Sequence, residues 1–262
     1  MSQLGKRLIS SAALIALSVS TIFMAPDWLF AIVIGLLVLT AFHEYLRLVE
    51  KKGIPVHYRF GLFFAALLHF SVYFHAESLI LMLAVLAFFI FHFHPERLSQ
   101  TLISTGMTVF GMIYVVWFCS HVLILRHLEY GSWWFFYILL LVKGGDTGAY
   151  FVGKKFGKIK LIAHVSPNKT VEGAVAGFIT TLVLSLLSFT YLPQVSFGHL
   201  LTLGVCVSIL SQLGDLGESL FKREVGVKDS GHVPGLGGIL DVLDSLILSI
   251  PFVYYYVTLV LI

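Results

Sequence analysis

Apolar residues run along this chain in long blocks separated by short polar stretches, and the length of the blocks sets the architecture. About nine can be counted, near 8–25, 28–42, 60–75, 78–93, 105–125, 132–150, 171–192, 196–213 and 239–262. A helix needs about 20 apolar residues to cross a bilayer, where every backbone N–H and C=O must be satisfied within the segment. The pattern predicts an all-α, polytopic membrane helix bundle forming a single domain over residues 1–262, with no internal repeat or linker. The blocks at 28–42, 60–75, 78–93 and 196–213 are short for a span. They are expected to extend into flanking polar residues or to lie partly buried in the bundle.

The polar stretches are biased in charge. With a cytosolic N-terminus, Lys6 and Arg7 lie inside, and so do the basic residues of the loops at 43–59, 94–104, 143–170 and 214–238. Of 17 lysines and arginines only Arg126 then falls outside. Positive residues collect on the cytoplasmic side of membrane proteins, so this bias predicts an N-terminus inside, a C-terminus outside and two large loops facing the cytosol. Lys6-Arg7 before an apolar run resembles the start of a signal peptide. However, Phe23-Met24-Ala25 lacks the small residues a cleavage site needs and Pro26 follows, so the segment is expected to be retained.

Composition agrees with this reading. The chain is 58% hydrophobic and 12% charged, too little polar surface for a soluble domain of 262 residues. A net charge of +3 argues against a nucleic-acid partner. Cys119 and Cys206 sit inside apolar blocks and read as small core hydrophobes. His43, His69, His75, His92 and His94 fall in the first half, where bundle contacts are the expected use and a zinc site the less expected one. The Trp133-Trp134 and Tyr254–Tyr256 runs read as interfacial or packing aromatics.

The acids are unevenly placed. Six of the 14 lie between Asp215 and Asp244. Asp215, Glu218 and Lys222 share one face if the helix of the 196–213 block continues past its apolar end. Lys228-Asp229-Ser230-Gly231 forms a polar turn, and Gly235, Gly237 and Gly238 lead to a last helix with Asp241 and Asp244 one turn apart. Two carboxylates on each of two helices suit a hard cation such as Mg²⁺, and a glycine-rich turn before a helix N-terminus suits a phosphate. The competing use of Asp241 and Asp244 is to cap that helix. The 143–172 stretch is also glycine-rich and carries six lysines, with Asp146 at the edge of the preceding block. It suits a polyanion, or else it is a basic loop that orients the protein.

These runs resemble the phosphatidate cytidylyltransferase (CDP-diacylglycerol synthase) family. The resemblance rests on Ser219-Leu-Phe-Lys-Arg, Lys228-Asp-Ser-Gly231, Pro-Gly-x-Gly-Gly and Asp241-x-x-Asp244, with Asp146-Thr-Gly-Ala-Tyr and Ser166-Pro-x-Lys-Thr-x-Glu-Gly before them in the same order. It covers about the last 120 residues, and it implies a catalytic region over 131–262 behind variable spans over 1–130. Leu236 and Val242 stand where the family usually has His and Arg, Val171 replaces a common Trp, and the stretch between Gly231 and Pro234 is one residue short.

The resemblance implies transfer of a cytidylyl group from CTP to phosphatidate, giving CDP-diacylglycerol and pyrophosphate, and the charge bias places that site at the cytosolic face of what is expected to be the inner membrane. It implies Mg²⁺, with room for a second metal ion, on Asp215, Glu218, Asp241 and Asp244, and it is compatible with a homodimer. Lys222, Arg223, Lys228 and Asp229 are the further catalytic candidates. Asp146, Ser166, Lys169, Glu172, Gly235, Gly237 and Gly238 are the candidates for holding substrate. A CTP-dependent kinase of polyprenol- or phytol-like alcohols is a second reading, and a transporter is a more distant third. A CDP-alcohol phosphotransferase would carry acid spacings that are missing here.

Overall fold

The computed structural model describes residues 19–93, 100–231 and 237–261. Most of the expected first span, together with Lys6, Arg7, His94, Arg97, Pro234, Gly235 and Leu236, lies outside the described residues. Within them the apolar blocks become helices α1 (Asp27–Lys51), α2 (Tyr58–Ser71), α3 (Glu77–Phe91), α4 (Thr101–Arg126), α5 (Gly131–Phe156), α6 (Val171–Leu187), α7 (Phe197–Val225) and α8 (Ile239–Leu261). Six of these elements are long and apolar enough to cross a membrane, α6 being counted to Thr190, and α2 and α3 are the shorter apolar pair. The all-α polytopic class therefore holds, with one addition: a two-stranded antiparallel hairpin, β1 (Lys160–Ile162) and β2 (Ser166–Thr170), between α5 and α6.

Several helices outrun their apolar blocks. α1 continues to Lys51, α5 to Phe156 and α7 to Val225, so Lys143, Asp146, Asp215 and Glu218 are helical residues and not loop residues. Hydropathy marks where a helix leaves the apolar layer, whereas the helix itself ends where the backbone turns. α7 stops at Gly226, which takes the left-handed conformation (φ 73°) while the Val227 N–H donates back to the Lys222 carbonyl, 2.9 Å. The glycines of α5 are likewise a packing feature. A Cβ at Gly145 would run into Thr181 of α6, so small residues let these two helices lie close. α8 is interrupted at Leu248, just before Pro251, whose ring removes a helical hydrogen bond. α4 is relaxed by a π turn at Met112–Trp117.

Two apolar cores hold the bundle together. One joins α1, α2, α3, the first half of α4 and the start of α8 around Phe42, Tyr45, Leu68, Phe88 and Met112. The other joins α5, α7 and the ends of α4 and α8 around Leu123, Tyr137, Ile138, Leu203 and Val253. Outside them, large apolar side chains such as Leu36, Phe63, Met82, Leu102, Phe151, Leu187 and Leu259 are exposed, the surface that lipid covers. The C-terminal ends of α1, α5 and α7, the N-terminal ends of α6 and α8, and the hairpin meet at one end of the bundle. Lys52 pairs with Glu224, Gly153 abuts Gly173, and Glu44 reaches Leu240.

The buried histidines make bundle contacts, whereas His75 is exposed and His94 lies outside the described residues. His69 is buried between the Ser120 hydroxyl (2.7 Å) and the Ala31 carbonyl (3.1 Å). His57, between α1 and α2, stacks on Phe88 and faces His92; burial, then the His92 charge, holds its pKa down at about 4. Among the described residues no group of three or more His, Cys, Asp or Glu is placed to hold a metal ion.

Candidate active site

At the end where the helices meet, the polar side chains sort into two groups. The first lies between α5, α7 and α8. Asp146, Asp215 and Asp244 are within electrostatic reach of one another. Lys143 ion-pairs with Asp146 at 3.5 Å and donates to the Val242 carbonyl at 2.9 Å and the Ser245 hydroxyl at 3.1 Å. Lys169, on β2, ion-pairs with Asp215 at 2.6 Å. The Asp244 carboxylate is buried and accepts from its neighbour's N–H, Ser245, at 2.5 Å. Asp146 and Asp215 stay partly exposed, at 43% and 30% of their side-chain surface, so this group opens outward. The crossing of α7 and α8 is tight here, and a Cβ at Gly214 would strike the Asp244 carbonyl oxygen.

The second group lies nearer the C-terminal end of α7 and the N-terminal end of α8. Lys222 sits between Glu218, its direct ion-pair partner, and Asp241, to which it donates at 2.5 Å. Glu218 is fully buried, and neither of its oxygens has a further hydrogen-bond donor among the described residues. The other oxygen of Asp241 accepts from the N–H groups of Gly238 (2.6 Å) and Ser230 (2.9 Å) and from the Ser230 hydroxyl (3.0 Å). Asp241 therefore does cap α8, as the competing reading of the acid pair expects.

A residue that sequence reasoning missed completes this group. Glu44 of α1, buried, accepts from the N–H groups of Ile239 (3.0 Å) and Leu240 (2.8 Å) and lies 2.9 Å from the Ser230 hydroxyl. With Gly238 bonded to Asp241, three N–H groups at the start of α8 are committed to the protein's own carboxylates. A phosphate cradled at Gly238 would have to displace one of them. Gly237 takes φ 85° beside Asp241, a conformation that only glycine adopts easily, and Gly235 lies outside the described residues. Beside Glu44 opens a cleft of about 780 Å³, lined by Thr40, His43, Arg47 and Lys51 of α1 and by Lys228 to Gly231 of the turn.

The remaining candidates divide between support and reach. Arg223 donates to the carbonyls of Val165 (2.9 Å) and Val227 (3.1 Å), joining the hairpin to the turn. Glu172 accepts from the Ile159 N–H (3.2 Å) and so positions the hairpin. Thr170 caps α6 by accepting from Gly173, and Ser166 opens β2. Lys228 and Asp229 are exposed on the turn. Of the four acids expected to hold metal, Asp215 and Asp244 face the open group, whereas Glu218 and Asp241 face Lys222. The three aspartates are not drawn together into a ready-made metal-ligand set, but the hard carboxylate oxygens of Asp215 and Asp244 are of the kind Mg²⁺ takes, since it needs only one or two protein carboxylates and completes its shell with water and substrate phosphate.

Comparison with known proteins brings in homology. Residues 5–260 match the sequence profile of the cytidylyltransferase family. The chain is 39% identical to the phosphatidate cytidylyltransferase of Chlamydia muridarum over 168 residues, 58% of this chain and 54% of that protein. It is 42% identical to the phosphatidate cytidylyltransferase of Bacillus subtilis over 161 residues, 60% of this chain and 59% of that protein. In these two cases the chain spans between a half and two thirds of the relative's length. With the phosphatidate cytidylyltransferase of Synechocystis the identity is 33% over 290 aligned positions, 98% of this chain and 97% of that protein.

Proposed function

Because the chain belongs to the cytidylyltransferase family, we propose that it transfers the cytidylyl group of CTP to phosphatidate, forming CDP-diacylglycerol and pyrophosphate. The observation that carries the reading is the convergence of Asp146, Asp215 and Asp244 with Lys143 and Lys169 at one end of a lipid-facing bundle. A phosphatidate phosphate oxygen bonds to the α-phosphorus of CTP as the bond from that phosphorus to the bridging oxygen breaks, and pyrophosphate departs. The second ionisation of a phosphomonoester lies at about 6, so the attacking oxygen is charged near neutrality and needs no strong base. The obstacle is repulsion between two polyanions.

Mg²⁺, held by Asp215 and Asp244 with Asp146 in support, would supply positive charge to the transferring phosphates. The chain's own cations do the rest. Lys169 stands on the hairpin beside Asp215 and can swing to a CTP phosphate, while Lys143 is anchored on α8 beside Asp146. Lys228 is exposed on the turn, free to meet the pyrophosphate moiety. Arg223 and Glu172 act at one remove, holding the hairpin that carries Lys169. The charge bias of the polar segments supports placing this end in the cytosol, within a bundle of about nine spans in the inner membrane and with the N-terminus inside.

The test is turnover of labelled CTP by purified protein in detergent, with and without phosphatidate, across Mg²⁺ concentrations. Labelled CDP-lipid and stoichiometric pyrophosphate are expected only when phosphatidate and metal are both present. A phosphorylated alcohol with release of CDP would instead establish the lipid kinase reading.

A further inference from the structure

We propose that Glu44 is a positioning residue for this site, a clamp contributed by α1 that closes the turn at 226–231 onto the first turn of α8. The inference rests on the cytidylyl-transfer reading only for its kinetic test; the geometry stands apart from it. A helix begins with four N–H groups that lack partners within the helix, and a carboxylate there is favoured by both hydrogen bonding and the helix dipole. In α8 the acceptor for Ile239 and Leu240 comes from a different span, 195 and 196 residues earlier in the chain. The same carboxylate lies 2.9 Å from the Ser230 hydroxyl, which is also 3.0 Å from Asp241. That hydroxyl has one proton, so it bonds one carboxylate at a time and sits as a spacer between two like charges. The amides of α8 and Lys222 offset their repulsion.

The backbone is shaped around this carboxylate. A Cβ at Gly231 would meet the Glu44 carboxylate and come within 3.0 Å of the Gly238 Cα, and a Cβ at Gly238 would meet Glu44, Ser230 and the Gly231 nitrogen. The two segments that flank the signature turn are thus drawn together with Glu44 between them. What this fixes is the start of α8, and with it Asp241, which holds Lys222, and Asp244 one turn later. Losing the clamp lets α8 shift against α7 and takes Asp244 out of register with Asp215.

The test compares Glu44→Gln, which keeps size but loses charge and one acceptor, with Ser230→Ala, which keeps the carboxylate and removes only the spacer. For Glu44→Gln, kcat per folded molecule is expected to fall about 10- to 100-fold, with the KM for CTP changing by less than about threefold. Ser230→Ala should show a smaller loss in the same direction. Hydrogen exchange should quicken in peptides covering 226–231 and 237–244 and stay unchanged in α6. A Glu44→Gln enzyme with wild-type kcat per folded molecule, or exchange that rises evenly across the bundle, would overturn the assignment. If Glu44→Gln does not fold, Ser230→Ala decides the matter by the same two readouts. If the wild-type protein fails to turn over CTP, the functional reading falls, and the exchange pattern still judges the clamp.

Discussion

The two polar groups at the end of the bundle share α7 and α8, yet they differ in how far the protein encloses them. Around Lys222 the charges are enclosed and turned toward partners from the protein itself. Glu218 and Asp241 flank the ammonium, and Asp241 and Glu44 take up the first amides of α8. Around Asp244 three carboxylates face one another, and the two lysines beside them come from α5 and from the hairpin. A closed set of partners stabilises a structure. Acids that open to the outside, as Asp146 and Asp215 do, leave room for a ligand. On this difference we propose a stabilising role for the first group and a chemical role for the second.

Breaking the second group should have the largest effect on turnover and little on folding. Asp244→Asn keeps the shape of the side chain but removes the negative charge that would hold the metal cation against the phosphates, and a loss of about 10²–10³ in kcat is expected, with the thermal midpoint held or raised. Chelation of divalent metal should likewise stop turnover without lowering the midpoint, because the Lys222 group needs no cation from outside. An Asp244→Asn enzyme with full activity would end the distinction between the groups.

The first group should respond the other way. Lys222→Met leaves Glu218 and Asp241 buried without their cation, a loss of about 3–5 kcal/mol by analogy with other broken buried pairs. The measurement is the folded fraction in detergent against denaturant. Unchanged stability with lost turnover would move Lys222 into the chemical group, as its place in the signature Phe-Lys-Arg suggested. Between these extremes, Gly214→Ala tests the crossing that holds both groups in register. Its methyl group meets the Asp244 carbonyl, so an overpacking cost of about 1–3 kcal/mol is expected together with a fall in kcat.

The two groups were not equally legible. Asp215, Glu218 and Lys222 share a face if the helix continues beyond the apolar block, and α7 does run on to Val225. The pairing of Asp241 with Asp244 suggested two ligands of one kind. Only their partners separate them, and those lie on the turn, on α5 and on α7. Glu44 was the larger loss. Ending the first described span at residue 42 made Glu44 a loop acid, although α1 continues to Lys51. Recognised as an ionisable residue inside a spanning helix, it would have pointed to a site. Its partners lie almost 200 residues away, and periodicity carries no information at that range. The glycines of α5 misled for a related reason. They read as a loop because glycine is a poor helix former, whereas close packing against α6 overrides propensity.

The smallest expected effect bears on where the open group ends. Lys169 reaches Asp215 from the hairpin at 2.6 Å, with both side chains about 30% exposed. An ion pair so placed contributes only about 0.2–1 kcal/mol to stability and weakens with salt. Lys169→Gln should therefore leave the folded fraction almost unchanged. If the lysine leaves Asp215 for a CTP phosphate, the variant raises the KM for CTP by about tenfold, the scale of one charged contact, and spares the KM for phosphatidate. The wild-type KM for CTP should then rise with ionic strength more steeply than that of the variant. Equal salt dependence in the two proteins would confine Lys169 to its pairing with Asp215 and draw the boundary of the chemical group at the helices.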